Sequence, residues 1–453
     1  MSNNIAQNSY GLIKIAPYQP RRQSFVGSLI EFVSSKRINV VVAFLFMVYA
    51  VIVLKIVTWR YLDDSLFFGL YSIMVSVYIL SRFILSYFYV PKALHVADMG
   101  YRPSVTFVTP SKNEEEGIAR TIICMAESDY PKDKIEIIAI DDGSSDGTYA
   151  EMQRGATVAR SLGVRADVVR FPQNKGKRHG MAYGVKKARG DIVIFIDSDS
   201  YVENGTVKEL VKYFTEEKVA AVAGHAYVAN KDVNMLTKMQ AVRYFVAFKA
   251  YKSAEALFGT VTCCSGCCSA YRRSVTLPVI DEWLGQRFLG TNCTYGDDRS
   301  LTNFLLARGY DAMFADEARS TTIVPEDWGK FMRQQLRWKK SWTRESFIAL
   351  KFMWKRNPIM FFSFVMGLIL PLVAPVVFFR AVVWYPIMRE MVPVAYIAGL
   401  VVMSVLYGLF YRIYHKDNLW IYGMFFSWFY SIILVWQLPY AILTLRDQRW
   451  GTR

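Results

Sequence analysis

The sequence predicts a membrane protein that carries an α/β domain with a parallel, Rossmann-like sheet between two groups of apolar helices. The first observation is the distribution of long apolar segments, since two precede residue 90 and three follow residue 357. The second is the region from about Arg102 to Arg319, where short β-branched runs alternate with helical stretches. The third is the composition, since 53% hydrophobic and 15% aromatic residues exceed what soluble domains usually contain.

The net charge of +16 narrows the class of partner. A basic chain can bind nucleic acid, but in a membrane protein Lys and Arg collect on cytoplasmic loops and on surface helices that face anionic lipid. The same charge also suits a ligand that carries phosphate groups. We therefore expect membrane lipid and a phosphate-bearing ligand, and no nucleic acid, as partners.

The region before the sheet divides into a surface segment and two spanning helices. Residues 1–37 are polar and basic without a compact apolar core, so we expect an interfacial amphipathic helix and no cleavable signal peptide. Ile38–Val57 and Leu66–Tyr89 are long enough to span a bilayer, which gives a membrane unit over residues 38–90. Basic residues flank both ends of this unit, so the positive-inside rule predicts a cytoplasmic domain over residues 91–325.

The region after the sheet is predicted to divide into three units. These are an interfacial helix, two spanning helices and an interfacial or re-entrant segment, over residues 326–357, 358–412 and 413–453. The two spans are Pro358–Val383 and Val392–Tyr411. A further crossing by Leu419–Leu445 would place the basic residues that follow it outside, against the positive-inside rule. We therefore expect this segment, interrupted at Pro439, to re-enter or lie in the interface, with the C-terminal end in the cytosol.

Polar clusters follow three of the four predicted strands. The strands are Val105–Thr109, Ile135–Ile140, Ala166–Arg170 and Ile192–Ile196. The clusters are Asn113-Glu114-Glu115, Asp141-Asp142-Gly143 and Asp197-Ser198-Asp199. Because ligands of parallel sheets bind beyond the carboxyl ends of the strands, we expect the clusters to form one site.

Asp197 and Asp199 are the candidate metal ligands. They are one residue apart at the end of a buried strand, so both carboxylates point to the same side. Two such oxygen ligands suit Mg²⁺ or Mn²⁺ and leave coordination positions for a substrate phosphate. A capping turn is the alternative interpretation, since Asp and Ser are also favoured where a strand gives way to a helix.

Four clustered cysteines, Cys263, Cys264, Cys267 and Cys268, are interpreted as reduced cytosolic thiols. Their spacing is too tight for ordinary disulfides among them. A zinc site is the alternative, although no second cluster or suitable histidine lies nearby.

Three further stretches carry groups that can bind or activate a substrate. Asn174–Gly180 places Lys177 and Arg178 in a glycine-containing turn before a helix, which favours phosphate binding, with a solvated basic loop as the alternative. Tyr295–Arg299 contains the adjacent carboxylates Asp297 and Asp298, whose pKa values can be pushed apart so that one acts as a base. Arg333–Trp342 is a basic, aromatic helix that can anchor at the membrane, bind a ligand, or do both.

The motifs Asp-Asp-Gly, Asp-Ser-Asp, Gly-Asp-Asp and Gln-Gln-Leu-Arg-Trp occur in this order between apolar helices. In this the chain resembles the processive family 2 glycosyltransferases, the group of cellulose, chitin and hyaluronan synthases, over about residues 102–344. The resemblance implies a GT-A catalytic domain. Within the group the chain looks most like hyaluronan synthases, because of the stretches Gly285–Gly290, Tyr295–Asn303 and Trp450–Arg453.

Two features of the resemblance leave the polymer open. The loop Cys264–Cys268 departs from the family pattern, in which a Pro and an apolar residue usually follow the Gly, and this loop lies near the acceptor pocket in the family. The ending Trp-Gly-Thr-Arg also occurs in a capsule synthase of streptococcal type that makes a glucose and glucuronate polymer.

The resemblance implies UDP-sugar donors and a role for each matching residue. Asp298 would be the general base that deprotonates the acceptor hydroxyl, Asp297 would orient it or raise its pKa, and Asp197 and Asp199 would bind Mg²⁺ or Mn²⁺. The contacts to nucleotide and sugar would come from Asn113, Glu114, Asp141, Asp142, Lys177, Arg178, Cys264, Gln334, Arg337, Trp338 and Arg453. Among these, Arg337 would bind the diphosphate and Trp338 would stack on the acceptor sugar.

The leading functional expectation is a processive, inverting enzyme of the plasma membrane that makes hyaluronan from UDP-GlcNAc and UDP-GlcA and exports the growing polysaccharide. The alternatives are a synthase of chitin oligosaccharide or of a glucose and glucuronate capsule polymer. A non-catalytic membrane channel or scaffold is the alternative from another class. The sequence leaves the oligomeric state open.

Overall fold

The computed structural model describes residues 37–62, 66–90, 100–390 and 392–447. The predicted surface helix within residues 1–37 lies outside these ranges. Arg453, which the resemblance placed at the substrate, lies outside them as well.

A mixed eight-stranded sheet forms the centre of the α/β domain. Its strands are β1 (Val105–Ser111), β2 (Ile135–Asp141), β3 (Arg165–Arg170), β4 (Ile192–Phe195), β5 (Ser200–Val202), β6 (Val219–Val228), β7 (Ser269–Arg272) and β10 (Asp311–Thr322). They lie in the order β3-β2-β1-β4-β7-β6-β10-β5. A separate two-stranded sheet pairs β8 (Arg287–Phe288) with β9 (Thr291–Asn292).

The four predicted strands are confirmed as β1 to β4, which are parallel to one another. The sheet continues beyond them with a mixed half, because β7 pairs antiparallel with both β4 and β6. Strand β7 has only four residues, Ser269–Arg272, and no apolar run, so its pairing depends on neighbours that are distant in the chain. The structure therefore confirms the fold class and corrects the sheet from parallel to mixed.

Both faces of the sheet are covered, which explains why its central strands are apolar throughout. Successive side chains of β1 point to opposite faces, so Val105 and Phe107 pack in one core while Val108 packs in the other. Ile118 and Ile122 cover the first face and Val185 the second.

Short helices connect the strands and cover these faces. They are α3 (Ile118–Ala126), α4 (Thr148–Ser161), α5 (Lys177–Lys187), α6 (Thr206–Val211), α8 (Ser253–Ala256), α9 (Arg273–Thr276), α10 (Ile280–Leu284) and α11 (Asp297–Ala307). Helices α3, α4 and α5 follow the parallel strands β1, β2 and β3, so their first turns lie at the carboxyl edge of that half of the sheet, where most of the predicted site residues are.

Apolar helices precede and follow the α/β domain in the sequence. They are α1 (Arg37–Leu62), α2 (Leu66–Phe88), α13 (Pro358–Phe379), α14 (Tyr385–Arg389), α15 (Val394–Tyr414), α16 (Trp420–Ile432) and α17 (Gln437–Leu443). Within the described residues, three stretches are long and apolar enough to cross a membrane, namely Leu66–Phe88, Pro358–Met388 and Tyr396–Tyr414. Helix α1 adds the shorter apolar stretch Val48–Val57, so its span stays a prediction. The chain thus has the makeup of a membrane protein.

The last apolar segment is broken, but not where the sequence suggested. Helix α16 and the following stretch Leu434–Leu443, which contains α17, meet at an angle of 43°, and the break lies at Ile433 rather than at Pro439. Pro439 occupies the first turn of α17, where a missing backbone N–H costs nothing because that position has no intrahelical acceptor. The bent pair can be a broken span or a re-entrant loop, so the predicted re-entry stays a prediction.

Two long helices lie between the α/β domain and the apolar helices. They are α7 (Met235–Val246), which continues through a π-helical segment, Ala247–Lys252, and α12 (Trp328–Met353). Val242 and Phe245 of α7 pack with Leu80 and Leu406 of the apolar helices. Leu236 of α7 and Phe331 of α12 form a smaller core with residues of the bent pair. These contacts attach the domain directly to the apolar helices.

Candidate active site

One continuous cavity of about 2000 Å³ connects the carboxyl edge of the sheet with the apolar helices. At the sheet it is lined by residues that follow β1, β2 and β4, and by the first turn of α11. Helices α7 and α12 form its middle, and α13, α15 and α16 form its far part. Most of the predicted site residues line this cavity.

Asn113, Glu114 and Asp142 form the edge of the cavity at the first two strands. Asn113 adopts a left-handed conformation with φ of 54°, and its Oδ1 accepts a hydrogen bond of 3.0 Å from Ser145 N. The carboxylate of Asp142 accepts hydrogen bonds from the backbone N–H groups of Lys175 (2.7 Å) and Gly176 (2.8 Å). Burial raises the pKa of Asp142, while these two donors oppose the shift. Asp142 therefore fixes the loop before α5 against the second strand.

Asp197 and Asp199 both line the cavity at the end of β4, as predicted. Lys177 at the start of α5 forms an ion pair with Oδ1 of Asp197. Burial would lower the pKa of Lys177, but the carboxylates of Asp197 and Asp297 raise it above its ordinary value, so the ammonium stays charged. A Cβ atom at Gly266 would lie 2.8 Å from Oδ1 of Asp197, so only glycine leaves room beside this carboxylate.

These residues fit a divalent cation that binds together with a diphosphate. Among the described residues no group of three or more His, Cys, Asp or Glu side chains converges on one point, so the protein alone offers an incomplete coordination shell. Mg²⁺ is commonly held by one or two carboxylates plus substrate phosphates, which matches Asp197 and Asp199. Oδ1 of Asp197 also forms an ion pair with the ammonium of Lys177.

Asp298 lies in the first turn of α11 and faces the cavity. Its Oδ1 accepts a hydrogen bond of 2.8 Å from the N–H of Arg299, and its Oδ2 accepts one of 3.4 Å from the thiol of Cys263. Gly296 before the helix has φ of +75°, and a Cβ atom there would lie 1.9 Å from Oγ of Ser341, so α12 packs directly on this turn. The glycine is therefore required both for the turn and for the close approach of the two helices.

Asp297 is buried behind Asp298 and belongs to a polar network. Its Oδ1 accepts a hydrogen bond of 2.8 Å from Nε of Arg178, whose guanidinium also donates to Oε1 of Gln286 at 3.0 Å. Nε2 of Gln286 in turn donates to Glu345 of α12 at 3.3 Å. Burial raises the pKa of Asp297, while the charge of Arg178 opposes the shift. The network ties α5, α11 and α12 together beneath the base candidate.

Three residues assigned to the substrate by resemblance face away from the cavity. Arg178 is only 3% exposed, and its guanidinium donates hydrogen bonds within the network around Asp297. Asp141 is fully buried, where it accepts a hydrogen bond from Ser144 N and pairs with Arg170. Cys264 is fully buried in the core of the domain. The geometry corrects these three assignments from direct contact to support of the site.

Gln334, Arg337 and Trp338 line the cavity from α12, as the motif predicted. Oε1 of Gln334 is buried and has no hydrogen-bond partner in the part of the chain that the structure describes, which favours a ligand contact. The ring of Trp338 lies 6.2 Å from that of Tyr244 and 5.6 Å from the guanidinium of Arg243, both on α7. The rings of Trp338 and Tyr244 therefore form an aromatic wall between Asp298 and the apolar helices.

Beyond Trp338 the cavity wall consists of hydroxyl, aromatic and small apolar side chains. The lining residues from the apolar helices are Tyr78, Ile79, Gly367, Pro371, Leu400, Met403, Ser404, Tyr407, Phe426, Ser427, Tyr430, Ser431 and Leu438. Hydroxyl groups and aromatic faces are the kinds of surface that contact sugar rings without holding them in one position.

Sequence reasoning missed three kinds of contributor to this site. Cys263, rather than Cys264, contacts the base candidate. Gln286 and Glu345 complete the buried network. Lys252, at the end of the π-helical segment, is a cavity-lining cation that no motif indicated.

Comparison with known proteins agrees with this geometry. Residues 106–277 match the model of glycosyl transferase family 2, and residues 192–445 match that of glycosyl transferase family group 2. The hyaluronan synthase of Streptococcus pyogenes is 29% identical over 432 residues, which are 92% of this chain and 97% of the relative. An N-acetylglucosaminyltransferase of Azorhizobium caulinodans is 30% identical over 359 residues, 78% of this chain and 87% of the relative.

A solved structure supports the fold alone. The mannosyltransferase of Pyrobaculum calidifontis, determined with GDP-Man and Mn²⁺, has a TM-score of 0.53 and 19% identity over 80% of this chain and 99% of its own. The chain therefore belongs to the family 2 glycosyltransferases, among which it resembles the hyaluronan synthases.

Proposed function

We propose that this protein polymerises hyaluronan from UDP-GlcNAc and UDP-GlcA and moves the growing polysaccharide through its apolar helices. The single observation that carries the proposal is the continuous cavity that joins the carboxylate cluster at the sheet to the hydroxyl- and aromatic-lined space between α13, α15 and α16. A polysaccharide made at the carboxylate cluster can pass between the apolar helices while its growing end stays at the site of synthesis. Similarity to hyaluronan synthases over 92% of the chain supports this product.

The transfer itself is an inverting displacement at the anomeric carbon of the donor sugar. Asp298 accepts the proton of the acceptor hydroxyl as that oxygen attacks, and UDP departs from the opposite face of the sugar. A single displacement converts an α-linked donor into a β-linked product. Asn113, Glu114 and Asp142 hold the nucleotide, Arg337 and Gln334 contact the diphosphate, and Trp338 stacks on the acceptor sugar.

Asp197 and Asp199 are the proposed ligands of Mg²⁺ or Mn²⁺. When bound, the cation neutralises negative charge on the diphosphate as UDP leaves. Lys177 holds Asp197 in place by its ion pair and carries a second positive charge at the same position.

The proposed location is the cell membrane, with the catalytic domain, residues 91–325, on the cytoplasmic side. The domain would be followed by the interfacial unit over residues 326–357 and the spanning unit over residues 358–412. Three to four apolar helices support the membrane location, and the positive-inside rule supports the orientation. Nucleotide sugars are made in the cytosol, so this orientation gives the donor site access to them.

A chitin-type oligosaccharide synthase is the second candidate. Similarity to N-acetylglucosaminyltransferases favours it. The loop from Cys263 to Cys268, which lines the cavity beside Asp197 and Asp298, departs from the hyaluronan synthase pattern and leaves the sugar open. A glucose and glucuronate polymer would use the same machinery with a different neutral sugar.

Supplying purified protein with UDP-GlcNAc alone, UDP-GlcA alone or both donors tests the proposal. We expect a high-mass polymer only with both donors, and we expect hyaluronidase to degrade it. A product from UDP-GlcNAc alone that chitinase degrades would support the second candidate instead. A polymer formed only when UDP-glucose replaces UDP-GlcNAc would indicate the capsule-type product.

A further inference from the structure

Lys252 is a cation in the wall of the cavity that has no carboxylate partner among the described residues. Its side chain is only 8% exposed, and its Nζ donates a hydrogen bond of 2.6 Å to Oγ of Ser265 and lies 3.9 Å from the centre of the Phe248 ring. Within the described ranges no ion pair joins it to an acidic residue. Lysine is rarely buried to this extent unless an anion accompanies it. Two of its three N–H donors therefore remain for a ligand in the cavity.

The acidic residue nearest in sequence is already engaged. Both carboxylate oxygens of Glu255, one turn further along, accept hydrogen bonds from Thr262 over distances of 2.9 to 3.2 Å. In the part of the chain that the structure describes, Glu255 therefore turns to Thr262 and forms no ion pair with Lys252.

A π-helical segment directs Lys252 into the cavity. On its other side, Lys249 forms an ion pair with Asp316 of β10, and Asp316 also contacts Nδ1 of His225 at 2.7 Å. This anchor holds the segment to the sheet while Lys252 faces the cavity. Single π-helical turns inside α-helices occur frequently at functional sites, and here the extra residue changes the face on which Lys252 lies.

The surroundings of Lys252 contain the parts of a sugar site. Its hydrogen-bond partner Ser265 lies in a loop that contacts both carboxylate groups of the site. Gly266, the next residue, lies beside Asp197, and Cys263, two residues earlier, contacts Asp298. On the other side, Phe248 stacks on Tyr244, whose ring lies 6.2 Å from that of Trp338. An aromatic row thus extends from the proposed acceptor platform to the ammonium.

We propose that Lys252 binds the carboxylate of a hexuronate unit in the sugar-binding part of this cavity and thereby selects an acidic sugar over a neutral one. The inference rests on the proposed function, because only a uronate-containing polymer presents such a group. The carboxylate can belong to the sugar of the donor or to the terminal sugar of the acceptor, and both carry the same chemistry.

The test uses the full-length protein in detergent and measures single additions in three reactions. These are UDP-GlcA with an acceptor ending in GlcNAc, UDP-GlcNAc with an acceptor ending in glucuronate, and UDP-GlcNAc with a neutral chitin oligosaccharide. We expect Lys252→Gln to lower kcat/KM about tenfold to hundredfold in one of the two uronate reactions, the factor for a lost hydrogen bond to a charged group. The neutral reaction should stay within about twofold, and Lys252→Arg should restore most of the loss.

The affected reaction identifies the source of the carboxylate, the donor in the first and the acceptor in the second. Lys238→Gln is the matched control, because Lys238 lies on α7 against the ring of Tyr422 and does not line the cavity. UDP binding by each variant verifies that the site has folded.

Equal losses for Lys252→Gln in all three reactions, or no loss in either uronate reaction, would overturn the role of Lys252. The proposed product would still stand if the wild-type protein carried out both uronate reactions. If the wild-type protein used no uronate sugar in either reaction, the inference and the proposed product would both fail.

Discussion

The thiol of Cys263 donates a hydrogen bond to Oδ2 of Asp298 over 3.4 Å, and the N–H of Arg299 donates to Oδ1 of the same carboxylate over 2.8 Å. Each oxygen of the base candidate therefore has one fixed donor. Burial raises the pKa of Cys263 to about 12, so its thiol is protonated at neutral pH and can donate.

Cys263→Ala removes one of these two donors, and we expect kcat to fall about fivefold to tenfold. The KM for the UDP-sugar should stay nearly constant, because Cys263 contacts the base candidate and not the nucleotide-binding side chains. Initial rates of UDP release at saturating donor measure the effect.

The neighbouring Cys264→Ala serves as the matched control. Cys264 is buried in the core, so its loss should lower the melting temperature more than kcat. If Cys264→Ala instead reduced kcat more than Cys263→Ala at equal stability, the orientation of this loop would be wrong.

The ion pair between Arg178 and Asp297 should support stability more than binding. Arg178→Met leaves the Asp297 carboxylate buried without its partner, which typically costs about 3–5 kcal/mol. We expect a clear drop in melting temperature, and we expect the double variant Arg178→Met with Asp297→Asn to recover part of it. Thermal unfolding of the four proteins in detergent gives the coupling.

If Arg178 contacted the nucleotide instead, Arg178→Met would weaken UDP binding at temperatures well below unfolding. Strictly additive losses of stability in the double variant would likewise contradict the buried pair.

Asp199→Asn should abolish the dependence of UDP binding on Mg²⁺ or Mn²⁺. Losing one of two protein ligands should weaken metal-assisted binding by more than the ~10–100-fold that loss of an outer-shell partner costs. Calorimetric titration of UDP with and without the cation measures it.

Asp191→Asn is the control for the metal prediction, since Asp191 lies at the opposite end of β4 and accepts hydrogen bonds from Ser104. The metal assignment fails if Asp199→Asn keeps a wild-type difference between titrations with and without the cation.

The carboxylates of the site were predictable because strand ends can be located from sequence. Asp142, Asp197, Asp199 and Asp298 all follow or begin elements that the apolar pattern and the motifs indicate, and all four line the cavity. Asp142, Asp197 and Asp199 follow strands, so their position at the edge of the sheet needed no knowledge of distant contacts. Asp298 begins a helix and was indicated by the Gly-Asp-Asp motif instead.

The incorrect assignments depended on distant partners. Lys177 and Arg178 are neighbours on one helix and therefore point in different directions, and only the position of Asp297, far along the chain, decides which faces the cavity. Lys252 was not predicted to line the cavity, because a π-helical segment shifts the helical periodicity by one residue. The break at Ile433 has no proline or glycine to mark it, although Lys339 of α12 donates a hydrogen bond to the carbonyl of Leu434 beside it.

Ser427→Trp should shorten the polymer without stopping the chemistry. Ser427 lines the far part of the cavity on α16, so a large side chain there narrows the path of the product and leaves the carboxylate cluster unchanged. We expect the mean product length to fall severalfold while the initial rate of UDP release stays within about twofold. Product size by gel electrophoresis and UDP release measure the two effects separately.

Ile432→Trp on the same helix is the matched control, because Ile432 is 42% exposed and does not line the cavity. Equal product lengths for Ser427→Trp and Ile432→Trp would exclude this part of the cavity as the path of the polysaccharide.

Asp298, at the start of α11, is the proposed base that activates the acceptor in this cavity. The most direct measurement is the rate of UDP release by Asp298→Asn with both donors present, together with its affinity for UDP. The asparagine keeps the size of the side chain but cannot accept the proton, so we expect the rate to fall at least about a hundredfold while UDP affinity stays near that of the wild type. A variant that binds UDP normally and still forms polymer at close to the wild-type rate would contradict the account.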